Sequence, residues 1–139
     1  DNFATRHAIN RVCFNNKKML VSGAAIRFDG QLSSFDFRTN DAPCYSCLFP
    51  EDTDVTEERC AVMGVFAPLV GVIGTMQAAE AIHLLTNIDH SRIGNGAKLS
   101  MFDARTMSWH EVRYRKDPAC DVCGQSHRVR HHTTEVAHA

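Results

Sequence analysis

Neither sign of charge predominates in this chain: fifteen Lys and Arg stand against sixteen Asp and Glu, for a net charge of −1. The basic field on which sequence-independent binding to DNA or RNA depends is therefore missing, and no nucleic-acid partner is expected. Long apolar runs are missing too. The most apolar stretch, Val62 to Met76, is soon interrupted by Gln77, Glu80 and His83. A bilayer span takes about 20 apolar residues, so this stretch reads as a buried core helix and no membrane partner is expected. The first residues lack both an initiator Met and a charged segment followed by an apolar one, so no leader is expected and the cytoplasm is the expected compartment. Internal repeats are absent as well.

What is present suits a packed domain. Of the 139 residues, 44% are hydrophobic and 22% charged, which allows one domain or a large part of one with a real core. Ile9, Val12 and Cys13 recur at helical spacing, with Arg6, Asn10 and Arg11 off that stripe, and predict an amphipathic helix from about Asn2 to Asn16. Met19-Leu20-Val21, directly after a helix, reads as a buried strand of a parallel sheet. Asp29-Gly30 between strand-like runs predicts a two-residue hairpin turn there. A long polar loop from Arg38 to about Arg59 follows, then a helix opened by Pro68 and running to about Leu85. Gly71, Gly74 and Ala78 give that helix a small-residue face suited to close packing. Strands at Lys98–Asp103 and Trp109–Arg115 complete an order of α-β-β-β-loop-α-β-β, a mixed α/β architecture. Residues 1–125 read as the folded portion and 126–139 as a flexible tail.

Six cysteines carry the clearest chemistry. Cys44-Tyr45-Ser46-Cys47 and Cys120-Asp121-Val122-Cys123 are two C-x-x-C pairs, whose two-residue spacers let both sulfurs of a knuckle face one ion. Two knuckles complete the tetrahedron that zinc prefers. Disulfides would need an oxidising compartment, and a redox C-x-x-C would need no second copy, so structural zinc at Cys44, Cys47, Cys120 and Cys123 is the expected use. More than seventy residues separate the knuckles, so the ion would clamp the C-terminal segment back onto the loop after the hairpin. Pro43 and Pro118 stiffen the approaches, and Gly124 gives the backbone room to turn. Cys13 reads as a core residue. Cys60 ends the polar loop beside Arg59, just before an apolar helix, where a helix N-terminus would favour its thiolate; a chemical role and a plain loop role both stand open. Of the eight histidines, His127, His131, His132 and His138 fall in the tail, where only incidental metal binding is expected.

The order of these features resembles the HesA/MoeB/ThiF family of ubiquitin-activating-like adenylyltransferases. The resemblance runs through Asp1-Asn2 with Arg6 and Asn10, Ser22-Gly23-Ala24-Ala25 with Gly30-Gln31, and Cys44-x-x-Cys47. It continues through Cys60 before Gly64-Val65, Pro68 to Gly74 with Gln77-Ala78-x-Glu80-Ala81, Phe102-Asp103, and Cys120-x-x-Cys123-Gly124. Within the family, Ser22 to Arg27 is most similar to molybdopterin-synthase adenylyltransferases, with thiamine-pathway homologues as near neighbours. The resemblance implies the C-terminal half of a Rossmann-like, ubiquitin-activating-type fold with a mixed sheet and a four-cysteine zinc clamp. It implies a homodimer that uses ATP and Mg2+ to adenylate the C-terminal glycine of a small ubiquitin-like sulfur-carrier protein, with a sulfur-donor protein as a further partner. It also implies that Asp1 helps hold magnesium, that Arg6 and Asn10 lie near the carrier's tail, and that Cys60 can link covalently to the carrier.

The alternatives to those assignments are plain ones. Asp1 is also suited to capping a helix, Arg6 and Asn10 to a solvated helix face, and Asp103 to capping a turn. The family's glycine-rich nucleotide loop has no counterpart among these residues, so this stretch alone is not expected to bind ATP well. A zinc-binding partner subunit or interaction module without catalysis is the alternative reading.

Overall fold

The computed structural model of the chain describes residues 2–39, 41–51, 63–87 and 97–124. Asp1, Cys60 and the 126–139 tail lie outside the described residues. The elements run α1 (Phe3–Asn15), β1 (Met19–Ile26), β2 (Asp29–Asp36), α2 (Tyr45–Leu48), α3 (Ala67–Thr86), β3 (Ala97–Asp103) and β4 (Ser108–Tyr114). The four strands lie side by side in chain order and every pairing between them is antiparallel.

Local chemistry sets the ends of these elements. Asn2 caps α1, its side-chain oxygen accepting the Thr5 N–H at 2.7 Å. Proline opens α3, and Asn87 closes it in the left-handed region at φ 51°. The β3–β4 turn is held by Asp103, whose carboxylate accepts the Arg105 N–H at 2.8 Å, in line with its expected capping role.

Alternation along β2 divides the molecule into two layers. Gly30, Leu32 and Ser34 face α3, whereas Ser33, Phe35 and, just beyond the strand, Phe37 face α1 and the cysteines. On the first side Leu69 and Ile73 of α3 pack with Phe102. On the second, Phe35, Phe37, Tyr45 and Val122 form the larger core with three of the cysteines.

Several expectations are corrected. The sheet is antiparallel among the described strands, not mixed, and β1 is one continuous strand paired antiparallel to β2 rather than a buried parallel strand. An apolar run after a helix does not carry strand direction; the hairpin that follows does. The hairpin turn itself is Arg27-Phe28, since Ile26 pairs with Asp29 and Arg27 has φ 51°. Asp29-Gly30 belongs to β2. A Cβ on Gly30 would lie 2.7 Å from Cδ1 of Ile73, so the glycine marks the close approach of a helix rather than a turn.

Burial on both long helices also departs from expectation. Ile9 and Val12 are exposed, and the inward seam of α1 is Phe3, His7, Asn10 and Phe14. Helix α3 is 20 residues long and apolar enough by length and composition to cross a bilayer, against the reading that its stretch is too short. It packs on the sheet through one face, leaving Val70, Val72, Ile82 and Leu85 exposed among the described residues, so it is not a buried core helix here. The close packing comes from the strands: Gly23 and Gly30 admit Gln77, Ile73 and Leu69, whereas Gly71 and Gly74 have open space beside them.

Candidate metal centre

The first knuckle is built on the single turn of α2. Cys44 is its N-cap residue in extended conformation, and the Cys47 N–H donates to the Cys44 carbonyl at 3.0 Å. This turn places both sulfurs on one side, 4.0 Å apart. The second knuckle is a tight turn after β4, closed by hydrogen bonds from Cys120 N to Asp117 O at 3.1 Å and from Gly124 N to Cys120 O at 2.8 Å. A Cβ on Gly124 would sit 2.5 Å from the carbonyl oxygens of Cys120 and Pro118, so the expected room to turn is real, and it is backbone that demands it.

The fold brings the two knuckles together. Cys44 and Cys120 sulfurs are 3.6 Å apart and those of Cys47 and Cys123 are 3.3 Å apart. All four lie within 4.8 Å of one another, so these donors are placed to hold one metal ion. A tetrahedral ion with sulfur ligands at about 2.3 Å has ligands about 3.8 Å apart, and the observed separations bracket that spacing. Cys44, Cys120 and Cys123 are buried and Cys47 half-buried, and four thiolates would fill a tetrahedral ion's positions.

The sulfurs perturb one another. The Cys44 and Cys123 thiols are pushed up, each chiefly by its hydrogen bond with Cys120, while Cys120 is held low, first by Cys123 and then by Cys44. Four thiols at this spacing share protons that a cation would displace, which couples metal binding to proton release. Outside the ligands, the Asp117 N–H donates to the Cys47 sulfur at 3.4 Å. Aromatic rings then close the surroundings: Phe35 and Tyr45 meet edge to face at 6.2 Å, and Tyr45 and Phe49 are tilted against each other at 5.0 Å.

Helix α1 attaches to this centre through polar groups that the sequence pattern does not single out as its neighbours. The Asn10 carboxamide is fully buried, accepting the Tyr45 N–H at 3.0 Å and donating to the Ser46 hydroxyl at 3.2 Å. The expectation that Asn10 lies on a solvated helix face is therefore corrected: with no exposed surface, it faces the first knuckle. His7 Nδ1 lies 3.2 Å from the same hydroxyl, and burial chiefly lowers its pKa while Glu51 raises it. Spacing holds the clue to this seam, because Phe3, His7, Asn10 and Phe14 share one face of α1. Arg6 is half-buried and donates to Ser22 Oγ and to the Gly23 carbonyl, both at 3.3 Å, tying α1 to β1.

Known proteins resemble the chain in both sequence and fold. It is 43% identical over 128 residues to the molybdopterin-synthase adenylyltransferase of Salmonella typhimurium, covering 90% of this chain and 48% of that one. It is 37% identical over 126 residues to the sulfur carrier protein ThiS adenylyltransferase of Escherichia coli, covering 91% and 48%. The chain thus spans about half the length of these curated relatives. Among solved structures, Escherichia coli MccB with ATP superposes with a TM-score of 0.66 at 18% identity, covering 88% of this chain and 36% of that one. MccB with MccA-N7isoASN gives 0.68 at 16% identity, covering 88% and 38%; at such identities these likenesses speak to the fold alone. With residues 1–122 matched, the chain belongs to the ThiF family.

Proposed function

We propose that the complete protein is an adenylyltransferase that activates the C-terminal glycine of a small ubiquitin-like sulfur carrier. The observation that carries this reading is the 43% identity to a molybdopterin-synthase adenylyltransferase across 90% of the chain. A second relative is named for the carrier ThiS, which supports the substrate class without choosing between the two pathways. The chemistry is coherent. A carboxylate is a poor electrophile, and joining it to AMP supplies a good leaving group for sulfur to displace. The barrier is mainly charge, so ATP would come with Mg2+ and cationic groups to neutralise its phosphates.

In this reading the described residues supply scaffold and surface. A zinc ion at Cys44, Cys47, Cys120 and Cys123 is the use the spacing of the sulfurs supports, and its work is structural. Asp1 is proposed to help hold magnesium, Arg6 to stand near the carrier's tail, and Cys60 to act as the nucleophile toward the activated carrier. A homodimer in the cytoplasm is proposed for the complete enzyme, with the open small-residue face of α3 in support of an intersubunit packing surface.

The test is carrier-dependent ATP–pyrophosphate exchange by the full-length protein. Asp1→Ala is expected to abolish exchange, since magnesium loses a ligand where charge develops. Cys60→Ala is expected to leave exchange nearly intact while removing any reducible adduct with the carrier. Exchange lost in a folded Cys60→Ala protein would refute this division of labour. Full-length wild type that shows no exchange with any sulfur carrier would refute the function.

A further inference from the structure

A helix starting at a metal-binding cysteine has a capping problem. The first N–H groups of any helix lack intrahelical partners, and the N-cap side chain ordinarily supplies an acceptor. Cys44 is the N-cap of α2, yet it makes no side-chain capping bond, because its sulfur is turned toward the other three cysteines. The Tyr45 N–H nonetheless has an acceptor. It donates to Asn10 Oδ1 at 3.0 Å, from a residue 35 positions earlier in the chain.

The other end of the same carboxamide is also committed. Its Nδ2 donates to the Ser46 hydroxyl at 3.2 Å, in the middle of the C-x-x-C sequence. An amide nitrogen has two hydrogens. One of them is spent on Ser46. Asn10 is fully buried, and among the described residues no buried side-chain nitrogen or oxygen lacks a partner. One side chain thus holds two consecutive residues of the knuckle, Tyr45 and Ser46, directly after Cys44.

We infer that Asn10 is a positioning residue for the metal centre: it caps α2 in place of Cys44, orients the first knuckle, and makes α1 and the bound ion one structural unit. This inference rests on the reading that the four cysteines bind zinc. It adds that metal binding orders α1, at the opposite end of the sequence from the second knuckle, as well as the C-terminal segment. Groups that orient metal ligands without touching the metal commonly change affinity by about 10- to 100-fold when removed.

The experiment measures zinc affinity of the full-length protein by competition with a chromogenic chelator, together with the thiolate-to-metal charge-transfer bands after cobalt(II) substitution. Asn10→Leu removes acceptor and donors, and is expected to weaken zinc by about 10- to 100-fold and raise amide exchange across α1. Asn10→Asp keeps an oxygen for the Tyr45 N–H but loses the amide donor to the Ser46 hydroxyl. It is expected to fold, to bind zinc more weakly than wild type, and to shift the cobalt bands. Ser46→Ala, which leaves the cap in place, is expected to cost only a few-fold. Wild-type zinc affinity and unchanged cobalt bands in both Asn10→Asp and Ser46→Ala would overturn the role of Asn10, whatever becomes of the leucine variant. A wild-type protein that takes up neither zinc nor cobalt would overturn the metal reading beneath it.

Discussion

The two faces of the sheet are finished to different degrees. On the cysteine face, Phe35, Phe37, Tyr45 and Val122 are buried by groups that the chain itself supplies: α1, α2 and the turn after β4. On the other face, α3 is by far the more apolar element, yet only Leu69 and Ile73 are buried among its described side chains, and Leu85 is 72% exposed. Hydrophobicity of a segment therefore does not locate the core. What locates it is the number of elements converging on a face, and α1, α2 and the turn after β4 converge on the cysteine side.

This contrast can be broken most forcefully at the proposed metal site. Removing the proposed zinc with a strong chelator, or replacing Cys120 by Ser, is expected to open the cysteine face while α3 stays on the sheet. Loss of a metal that joins distant segments belongs to the extreme tail of destabilisation, above about 4 kcal/mol. Hydrogen exchange should show residues 44–49 and 117–124 deprotected well before the amides of β1 and β2. Uniform deprotection of both faces would show that the metal does not act locally.

A smaller effect is expected from truncating α3, and it depends on which side of the helix is touched. Leu69→Ala opens a cavity beside Gly30 and Phe102, and such changes cost about 2 to 5 kcal/mol. Leu85→Ala is expected to stay within about 0.5 kcal/mol, as exposed positions do. Denaturant midpoints check both. A cost at Leu85 near that at Leu69 would mean that the outer face of α3 is covered after all.

The glycines sharpen the comparison further. An added methyl at Gly124 meets backbone atoms, which cannot yield without moving the knuckle, whereas one at Gly30 meets the side-chain ends of Ile73 and Leu69. Gly124→Ala is expected to cost about 1 to 3 kcal/mol and to weaken zinc binding, while Gly30→Ala is expected to cost less and leave the metal alone. Thermal melts with and without chelator separate them, and an equal loss at the two positions would count against the distinction.

Much of the candidate site is legible in the order of residues alone. Two C-x-x-C pairs restrict sulfur geometry enough to name four candidate ligands from spacing, and the fold brings those four within 4.8 Å. The place of Pro68 in the first turn of α3 and the turn-capping role of Asp103 are readable for the same reason, because each acts within a few residues of itself. Asn10 reads as part of an outer helix face because a helical wheel shows which residues share a side, not which side meets the protein. Gly30 reads as a turn residue because the sequence shows only that a side chain is missing. Whether the backbone needs the freedom or a neighbour needs the space is a tertiary question, and Ile73, more than forty residues later, answers it.

By itself the sequence determined what depends on short range: the extents of the two long helices, the knuckles, the last hairpin, and the family to which they belong. Tertiary structure alone decided which face of α1 turns inward, that all four strands run antiparallel, and that the knuckle's cap comes from Asn10. The physical reason is one of range. Backbone propensity and ligand spacing act over a few residues, whereas burial and the partners of buried polar groups are settled only when segments far apart in the chain compete for the same space.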